Sequence, residues 1–511
     1  MNFQINKEAQ VKNRTNIKIN LMENHEENHT MQQFENTLKS WISDEIAATA
    51  FINVIAKLWF DKSVELILFR RQLLERSASS ILSKHSYAEL IVKNPLKIQD
   101  SLMLAEAMLN ADLAPARIDI GRLNKEWAEE KNNYEDVNDF LKSKLHYIVG
   151  AVPRSKKVQD VVLYGFGRIG RLAARQLING SGNGSQLRLR AIVTRSASAE
   201  DIRKRASLFR KDSVHGQFNG IAVEHIDDQT FHVNGHVINM LCAKNPEDID
   251  YTAYGINDAL LIDNTGVFRD RENLSRHLKA KGISKVLLTA PGKGDIPNVV
   301  YGVNQETLDL ENERIFSAAS CTTNAVVPAL SVIENELGII RGHIETIHSY
   351  TNDQNLLDNY HKKSRRGRSA ALNMVITETG AALAAVKAVP SLKNKLTANS
   401  VRVPTPNVSL AILSLNVGRE VTRDQVNEML RIASLKGTLI EQIRYSTSSE
   451  LVSSDCIGDS CACIFDSVAT LVSNDLRNIV LYLWYDNEFG YTSQVIRLAK
   501  HIAQVKSYRY Y

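Results

Sequence analysis

The 511-residue chain has few of the features that mark secreted, membrane-spanning or disordered proteins. Its five cysteines are an odd number and too few for a disulfide framework, which indicates a reducing compartment such as the cytoplasm. The N-terminus lacks the apolar run of a secretory signal, and residues 46–60 are too short and too interrupted to span a membrane. The net charge is only +5, a basic excess too small to indicate nucleic acid as a partner by itself, so nucleic acid is considered an unlikely partner.

Glycine is absent before Gly121, which favours packed helices in the first part of the chain. Residues 1–30 are rich in Asn, Gln, Glu and Lys and predict a disordered tail. From 31 to 150, apolar residues recur at spacings of three and four, first from Trp41 to Leu58 and again from Val64 to Leu74. We therefore predict an all-helical extension, a scaffold or oligomerisation unit in which nothing indicates catalysis.

The pattern changes after a linker at residues 153–157. Short apolar runs, which predict strands, alternate with helical segments up to residue 320; the runs are 158–164, 187–193, 259–263 and 285–289. This alternation is typical of a parallel sheet, so we predict an α/β domain over 157–320. Beyond it, a helix at 325–337 and longer strands predict an α+β domain over 321–489; the strands are 343–348, 409–417 and 479–485. A C-terminal helix, 490–511, is expected to complete the α/β domain.

A glycine-rich segment follows the first strand of the α/β domain and opens a helix. It consists of Gly165, Phe166, Gly167, Arg168, Ile169 and Gly170. Glycines at this spacing permit a tight turn and a close approach to pyrophosphate, which the N–H groups of the helix N-terminus bind. The context predicts a Rossmann-type dinucleotide site, although a purely structural turn is the alternative.

The acidic residue expected about 20 residues later, to bind the adenosine ribose, is missing. Neither Asp nor Glu occurs from Arg171 to Ala199, and Arg195 follows the second strand instead. Because Arg attracts a 2′-phosphate that Asp would repel, NADP is slightly favoured over NAD. The alternative is that Arg195 is a solvated cation and that Glu200 or Asp201 reaches the ribose.

Cys321 lies in a small, polar segment, Ser-Cys-Thr-Thr-Asn, between a strand and a helix. A cysteine at a helix N-terminus is expected to have a lowered pKa, since the helix dipole favours the thiolate. A nucleophilic cysteine also needs a base, and His348, at the end of a predicted strand, is the candidate. Taken alone, a single cysteine is more often a buried apolar residue, and one histidine of 13 carries little weight.

From about residue 158 to the end, the chain resembles glyceraldehyde-3-phosphate dehydrogenases. The matching segments, in order, are YGFGRIGR (164–171), KDSVHG (211–216), DNTGVF (263–268), SCTTN (320–324), HSYTNDQ (348–354), RRGR (365–368), TGAA (379–382), RVPTPNVS (402–409) and WYDNEFGYT (484–492). The resemblance implies oxidation of glyceraldehyde 3-phosphate, with NAD or NADP and inorganic phosphate, to 1,3-bisphosphoglycerate. It says nothing about the first 150 residues.

The resemblance also implies roles for individual residues. Cys321 would attack the aldehyde and carry a thioester, and His348 would act as its base. Cofactor binding is implied for the glycine-rich turn and for Arg195, Thr265, Gly266, Asn487 and Tyr491, with Asn487 holding the nicotinamide carboxamide. One anion site, for the phosphate of the substrate, would contain Thr351 and Arg402. The other, for the attacking phosphate, would contain Ser320, Arg366 and Thr379, and we also assign Thr322 and Gly380 to substrate or phosphate binding.

Several features leave alternatives open. The basic run at 362–368 is a solvated loop, a nucleic-acid patch or, as the resemblance implies and as we prefer, a loop near the cofactor and a neighbouring subunit of a homotetramer. Cys456, Cys461 and Cys463 lack the spacing of a zinc site, so no metal is predicted.

A related erythrose-4-phosphate dehydrogenase, in which water resolves the thioester, is one alternative function. A binding or regulatory protein that kept the fold, with an unknown partner for the extension, is another, and the sequence does not decide between glycolytic and gluconeogenic direction.

Overall fold

The computed structural model describes residues 2–511 except 75, 93–94, 154–157, 183, 185 and 506, and of residues 2–31 and 89–92 only the backbone. The chain forms two units, Met1–Val152 with Tyr508–Tyr511, and Pro153–Ser507. Among the helices of the described residues, none has both the length and the apolar character that crossing a membrane requires.

In the part of it that the structure describes, the first unit combines five α-helices with a small sheet. Its helices are α1 (Asn2–Lys62), α2 (Ala78–Val92), α3 (Ile98–Asn110), α4 (Ile120–Glu130) and α5 (Val137–Lys144). Its strands are β1 (Val64–Leu68), β2 (Arg71–Gln72), β3 (Ala116–Asp119) and β22 (Tyr508–Tyr510), in the order β2-β1-β3-β22. Apolar residues of α1, such as Phe51 and Leu58, share one core with Leu66 of β1 and Tyr510 of β22.

The helical extension is confirmed in α1 to α5, but it is not all-helical. The segment from Val64, predicted as helix, is strand β1, since a short run of mostly apolar positions suits a buried strand as well as a helix. A disordered tail is predicted for residues 1–30, whose side chains lie outside the described residues. The backbone described from Asn2 onwards belongs to α1.

The second unit begins with an eight-stranded sheet and its flanking helices. The strands are β4 (Gln159–Tyr164), β5 (Leu187–Thr194), β8 (Ala222–His225), β9 (Thr230–Val233), β10 (His236–Cys242), β11 (Ala259–Asp263), β12 (Ile283–Leu288) and β13 (Ile315–Ser317). They lie in the order β13-β12-β11-β4-β5-β10-β9-β8 and are parallel from β13 to β10, which confirms the predicted parallel sheet. A hairpin, β6 (Lys211–Asp212) and β7 (Gly216–Gln217), lies outside this sheet.

Four helices accompany this sheet: α6 (Arg168–Asn179), α7 (Ala199–Arg210), α8 (Arg271–Ser275) and α12 (Phe489–Ile502). Val495 and Ala499 of α12 share a core with Val161 and Leu163 of β4, so the last helix packs on the eight-stranded sheet that contains β4. The final residues do not continue it, contrary to the predicted span 490–511. The helix ends at Ile502, and the alternating Tyr-Arg-Tyr of β22 pairs with β3 in the first unit.

The second sheet of this unit holds β14 (Ile339–Ser349), β15 (Val375–Thr377), β16 (Leu396–Val403), β17 (Ser409–Val417), β18 (Ile443–Ser446), β19 (Cys463–Asp466), β20 (Leu471–Val472) and β21 (Asn478–Tyr485). The order is β15-β16-β14-β17-β21-β19-β18, and β20 pairs with β21. The helices are α9 (Cys321–Leu337), α10 (Ala381–Ala388) and α11 (Arg423–Leu435). Val326 and Leu330 of α9 share a core with Leu413 and Leu481 of the sheet, as expected for an α+β arrangement.

Candidate active site

A strained turn between β13 and α9 presents Cys321. Ala319 has φ +55°, a left-handed conformation that is uncommon outside glycine, and Ser320 caps the helix by accepting the N–H of Thr323 at 3.0 Å. The Asn324 amide donates to the carbonyls of Ala318 (2.8 Å) and Ser320 (2.9 Å), which holds the turn in place. Cys321 is therefore the first residue of the helix, in a fixed position.

The turn is also tied to α12. The hydroxyl of Tyr491, in the first turn of that helix, donates to the Ala319 carbonyl at 3.0 Å. Tyr491 is predicted to bind the cofactor, and the structure places its hydroxyl against the cysteine turn.

His348 lies beside Cys321, as the sequence predicts. The Cys321 Sγ and His348 Nε2 atoms are 3.5 Å apart, and the His348 Nδ1 is 2.7 Å from the Ser349 carbonyl. A proton on Nδ1 can donate to that carbonyl and leaves Nε2 free to accept the thiol proton, so we assign this tautomer. Arg402 Nη1 is 3.0 Å from Nδ1, but in this tautomer it donates to the Ser349 carbonyl instead, at 2.9 Å.

Both members of the pair are neutral in this arrangement. Burial raises the pKa of the Cys321 thiol, although the nearby Arg402 acts in the opposite direction. Burial and then Arg402 lower the pKa of His348 to about 3. The lowered thiol pKa expected from the helix N-terminus is therefore wrong for this state, because desolvation of the thiolate outweighs the dipole.

Two of the predicted anion-binding residues lie next to this pair. Arg402 is opposite His348 in the β14–β16 register, and its Nη1 donates to the Thr351 hydroxyl at 3.2 Å. The Nε atom of Arg402 is buried and has no partner among the described residues. A buried guanidinium with a free donor is suited to bind an anion such as phosphate.

The other predicted anion-binding residues are more dispersed. Arg366 donates to the Thr377 hydroxyl at 3.0 Å and pairs with Asp353, a carboxylate that sequence reasoning did not single out. Thr379 and Gly380 precede α10, where the Thr379 hydroxyl accepts the N–H of Ala381. Thr322 is turned towards Tyr485, whose hydroxyl is 3.1 Å away. Among the described contacts, none joins Ser320 to Thr379.

The glycine-rich turn has the shape that a bound pyrophosphate requires. A Cβ added at Gly170 would lie 2.3 Å from the Gly165 carbonyl oxygen, and Gly165 itself has φ +95°. A Cβ at Gly167 would meet nothing within 4 Å, so the backbone there faces open space. Arg168 opens α6 and keeps a buried Nη2 without a partner among the described residues, and Ile169 follows it. These features fit a dinucleotide phosphate at this helix N-terminus.

A cavity of about 240 Å³ opens beside this turn. Its walls come from the glycine-rich turn, the end of β5, helix α7 and the loops after β10 and β11; the residues are Tyr164, Gly165, Phe166, Val193, Thr194, Arg195, Arg205, Ala243, Lys244, Thr265, Val267 and Phe268. Gly266, with φ +66°, turns the loop that carries Thr265. Asn487, whose Oδ1 accepts the Ser409 hydroxyl at 2.9 Å, follows β21 in the catalytic part of the unit.

Among the described residues, three cations and no carboxylate line the cavity. Arg195 was predicted, whereas Arg205 and Lys244 were missed, although Lys244 follows β10, which pairs in parallel with β5. Asp201, the alternative ribose ligand, accepts the hydroxyls of Ser196 (2.5 Å) and Ser198 (2.8 Å) at the start of α7. Glu200 is exposed and does not line the cavity.

The cysteine-rich segment near residue 460 is part of the core. Cys456, Cys461 and Cys463 are buried, and burial raises the pKa of the Cys456 thiol to about 12. Within the described part of the chain, no group of three or more His, Cys, Asp or Glu side chains is placed to hold a metal ion.

Two models of known protein families match parts of the second unit. Residues 159–271 match the model of the glyceraldehyde 3-phosphate dehydrogenase NAD binding domain, and residues 320–487 match that of the C-terminal domain. A glyceraldehyde-3-phosphate dehydrogenase 2 of Trichormus variabilis is 41% identical over 345 residues, which are 67% of this chain and 98% of the relative. A glyceraldehyde-3-phosphate dehydrogenase of Streptomyces coelicolor is 38% identical over 338 residues, 66% of this chain and 96% of the relative.

One relative also covers most of the first unit. A glyceraldehyde-3-phosphate dehydrogenase-like protein of Pseudomonas aeruginosa is 48% identical over 457 residues, which are 89% of this chain and 98% of the relative. That alignment is longer than the whole chain after residue 158, so it includes a large part of the preceding segment.

Proposed function

The chain belongs to the glyceraldehyde-3-phosphate dehydrogenase family, and from that premise we propose that it is a phosphorylating dehydrogenase. It oxidises glyceraldehyde 3-phosphate, with a nicotinamide dinucleotide and inorganic phosphate, to 1,3-bisphosphoglycerate. The observation that carries this proposal is the Cys321–His348 pair, with Sγ and Nε2 3.5 Å apart and the free guanidinium donor of Arg402 beside it.

His348 and Cys321 perform the proton and bond changes of this reaction. His348 Nε2 accepts the thiol proton as Sγ bonds to the aldehyde carbon, so the aldehyde oxygen becomes the alkoxide of a hemithioacetal on Cys321. This alkoxide forms the carbonyl group again as the hydride leaves. The nicotinamide ring, when bound, supplies the acceptor for the hydride that leaves this carbon. The product on Cys321 is a thioester. A phosphate oxygen then bonds to its carbonyl carbon, the carbon–sulfur bond breaks, and the acyl phosphate leaves. The sulfur keeps the bonding electrons and takes back the proton from His348, which restores the starting pair.

The charged groups around the pair explain why the substrates carry phosphate. Arg402 and Thr351 suit the phosphate of the aldehyde, and Arg366 with Thr379 suits the attacking phosphate, since guanidinium and hydroxyl groups bond phosphate oxygens well. The glycine-rich turn holds the cofactor pyrophosphate, and Asn487 orients the nicotinamide carboxamide.

We further propose that NADP is the preferred cofactor. The cavity that adjoins the glycine-rich turn presents Arg195, Arg205 and Lys244, and no Asp or Glu of the described chain lines it. A 2′-phosphate there would neutralise part of this positive charge, whereas an unphosphorylated ribose would leave it unpaired.

A homotetramer in the cytoplasm is part of the same proposal. The loop from 354 to 376, between β14 and β16, exposes a dense set of large apolar side chains: Leu356, Leu357, Tyr360, Leu372, Met374 and Ile376. Monomeric proteins rarely expose so many large apolar groups together, which supports burial of this loop against another subunit.

Steady-state assays with glyceraldehyde 3-phosphate test the proposed reaction. NAD and NADP are compared with and without phosphate, and Cys321→Ser serves as the control variant. We expect turnover that needs phosphate and that falls by roughly a thousandfold or more in the variant. Turnover without phosphate, or with erythrose 4-phosphate only, would favour the hydrolytic relative. No turnover with either aldehyde would refute the enzymatic proposal and favour a binding role.

A further inference from the structure

One carboxylate lies among the anion-binding groups of the site. Asp353 accepts a hydrogen bond from the Thr351 hydroxyl through Oδ1 and forms an ion pair with Arg366 through Oδ2. Thr351 and Arg366 belong to the two different phosphate sites of the proposed function. Asp353 therefore contacts one residue from each site.

The electrostatic setting shows that this carboxylate is a counter-ion. Burial alone would raise the pKa of Asp353, but the Thr351 hydroxyl, Arg366 and Arg402 lower it overall, so the group is charged at neutral pH. The Arg366 side chain is only 13% exposed, and a guanidinium so deep in the protein needs a partner. Asp353 supplies the negative charge that a phosphate would supply.

The Asp353 carboxylate can move away from Arg366 without moving the guanidinium. The Asp353 side chain is 44% exposed, whereas Arg366 is fixed at its other end by the hydrogen bond from Nε to the Thr377 hydroxyl of β15. An arriving phosphate can therefore keep the guanidinium where it is and displace the carboxylate into water. The cost of this exchange is small, because a half-exposed ion pair contributes little.

We propose that Asp353 is an internal competitor for phosphate, a carboxylate that occupies the anion site of the free enzyme and is displaced when a phosphate binds. This inference rests on the proposed function, which assigns Arg366 and Thr351 to phosphate. The carboxylate of Asp353 weakens phosphate binding, although it contacts the groups that bind the phosphate. A carboxylate that only oriented Arg366 would strengthen binding instead.

The test is calorimetric titration of the full chain with inorganic phosphate, in which Asp353→Asn is compared with the parent protein. Asparagine keeps the shape and the acceptor oxygen but removes the charge. The matched control is Asp358→Asn, which removes one carboxylate of the same loop from its exposed ion pair with Arg368. We expect Asp353→Asn to bind phosphate about fivefold more tightly, since an ion pair of this exposure contributes up to about 1 kcal/mol. Asp358→Asn should not change the affinity.

A double-variant cycle shows whether the effect passes through Arg366. In an Arg366→Gln background, Asp353→Asn should no longer tighten phosphate binding, because the cation for which the two anions compete is gone. Weaker binding in Asp353→Asn, or a change equal to that of Asp358→Asn, would overturn the proposal. A gain that persists without Arg366 would also overturn it.

These titrations need no turnover, so they separate the two proposals. If the chain binds phosphate with the expected order of affinities but does not oxidise the aldehyde, the proposed function is refuted and the proposed role of Asp353 stands. If turnover requires phosphate but Asp353→Asn leaves phosphate affinity unchanged, the competitor fails and the function survives.

Discussion

At the scale of single residues, three cations line the cavity to which the proposed NADP preference assigns the 2′-phosphate. Arg195, Arg205 and Lys244 come from three separate segments and converge on one cavity. Their side chains carry the same sign, so they repel each other unless an anion lies between them. Each charged hydrogen bond to a 2′-phosphate would favour NADP over NAD.

Lys244→Asp should therefore change the cofactor preference. The aspartate would repel a 2′-phosphate and could accept a hydrogen bond from a ribose hydroxyl. We expect kcat/KM for NADP to fall about tenfold or more, with kcat/KM for NAD unchanged or raised. Steady-state kinetics with both cofactors measures the ratio. Lys436→Asp, at an exposed position after α11, makes the same charge change away from the cavity and should leave the ratio as it is. An equal loss with both cofactors would show that Lys244 acts through stability alone.

The sequence predicts the Cys321–His348 pair better than it predicts the cavity beside the glycine-rich turn. Cys321 and His348 lie in short motifs, and the structure brings them to 3.5 Å because the helix that starts at the cysteine packs on the sheet that carries the histidine. Arg205 and Lys244 belong to no motif. Lys244 reaches the cavity because β10 pairs in parallel with β5, so that both strands end at the same edge. That long-range pairing cannot be derived from local periodicity.

At the scale of secondary-structure elements, an ion network links the glycine-rich turn to the hairpin and to the last helix. Arg168 donates to Asp212 of β6 at 2.9 Å and to Glu488, the residue before α12, at 2.5 Å. His215 Nε2 is 3.0 Å from the other Glu488 oxygen. Asp212 also accepts the N–H groups of Val214 and His215, both at 2.9 Å. One set of charges thus joins the glycine-rich turn, the hairpin of β6 and β7, and the start of α12.

Asp212→Asn should destabilise the second unit in a pH-dependent way. Burial would raise the pKa of Asp212, but the two N–H groups and Arg168 lower it overall. A carboxylate with a depressed folded-state pKa stabilises the fold above its unfolded pKa, near 4, and loses this effect as the pH falls through the folded value. We expect a loss of about 2–3 kcal/mol at pH 7, shrinking towards zero below about pH 4.

Thermal melting at several pH values measures this difference. Glu420→Gln, which removes one partner of the exposed ion pair with Arg477, should leave the melting temperature almost unchanged at each pH. A loss in Asp212→Asn that stays constant down to about pH 3 would show that hydrogen bonding, and not the charge, is responsible.

Long patterns predict their elements well, whereas short runs are predicted correctly in some cases, such as β11 at 259–263, and missed in others. Nine-residue β17 has the predicted bounds, and 17-residue α9 ends at the predicted residue 337 but begins four residues before the predicted 325. The five-residue β1 and three-residue β22 were missed, because neither run is long enough to separate the helical period from the strand period. Moreover, β22 is stabilised by pairing with β3, which lies far earlier in the chain.

At the scale of the whole molecule, each unit has its own hydrophobic core. Among the described residues, the core of the first unit draws on α1 to Ile148 and on Tyr510, and none of these belongs to the cores of the second unit. Every residue assigned to catalysis or to cofactor binding lies in the second unit, Pro153–Ser507. The relative from Pseudomonas aeruginosa shares a large part of the first unit, whereas the other two relatives match only about two thirds of the chain.

Removal of both parts of the first unit, residues 1–152 and 508–511, should therefore leave the chemistry intact. We expect phosphate-dependent turnover to stay within about twofold of the parent, since the reacting groups are all retained and each domain-sized core can fold by itself. Steady-state kinetics measures the turnover, and sedimentation measures the assembly.

The matched variant lacks residues 1–152 only. In it, Tyr508–Tyr510 lose the partner strand β3 and expose aromatic side chains that are otherwise half-buried or buried. This variant should keep its turnover but aggregate more readily than the parent protein, and light scattering measures the aggregation. Loss of turnover in the double deletion, with the assembly state of the parent retained, would instead assign the first unit a gating role in catalysis, and a change of assembly state would assign it to assembly. Retained turnover and assembly leave recruitment of a partner as the role that accounts for a separate core in this chain.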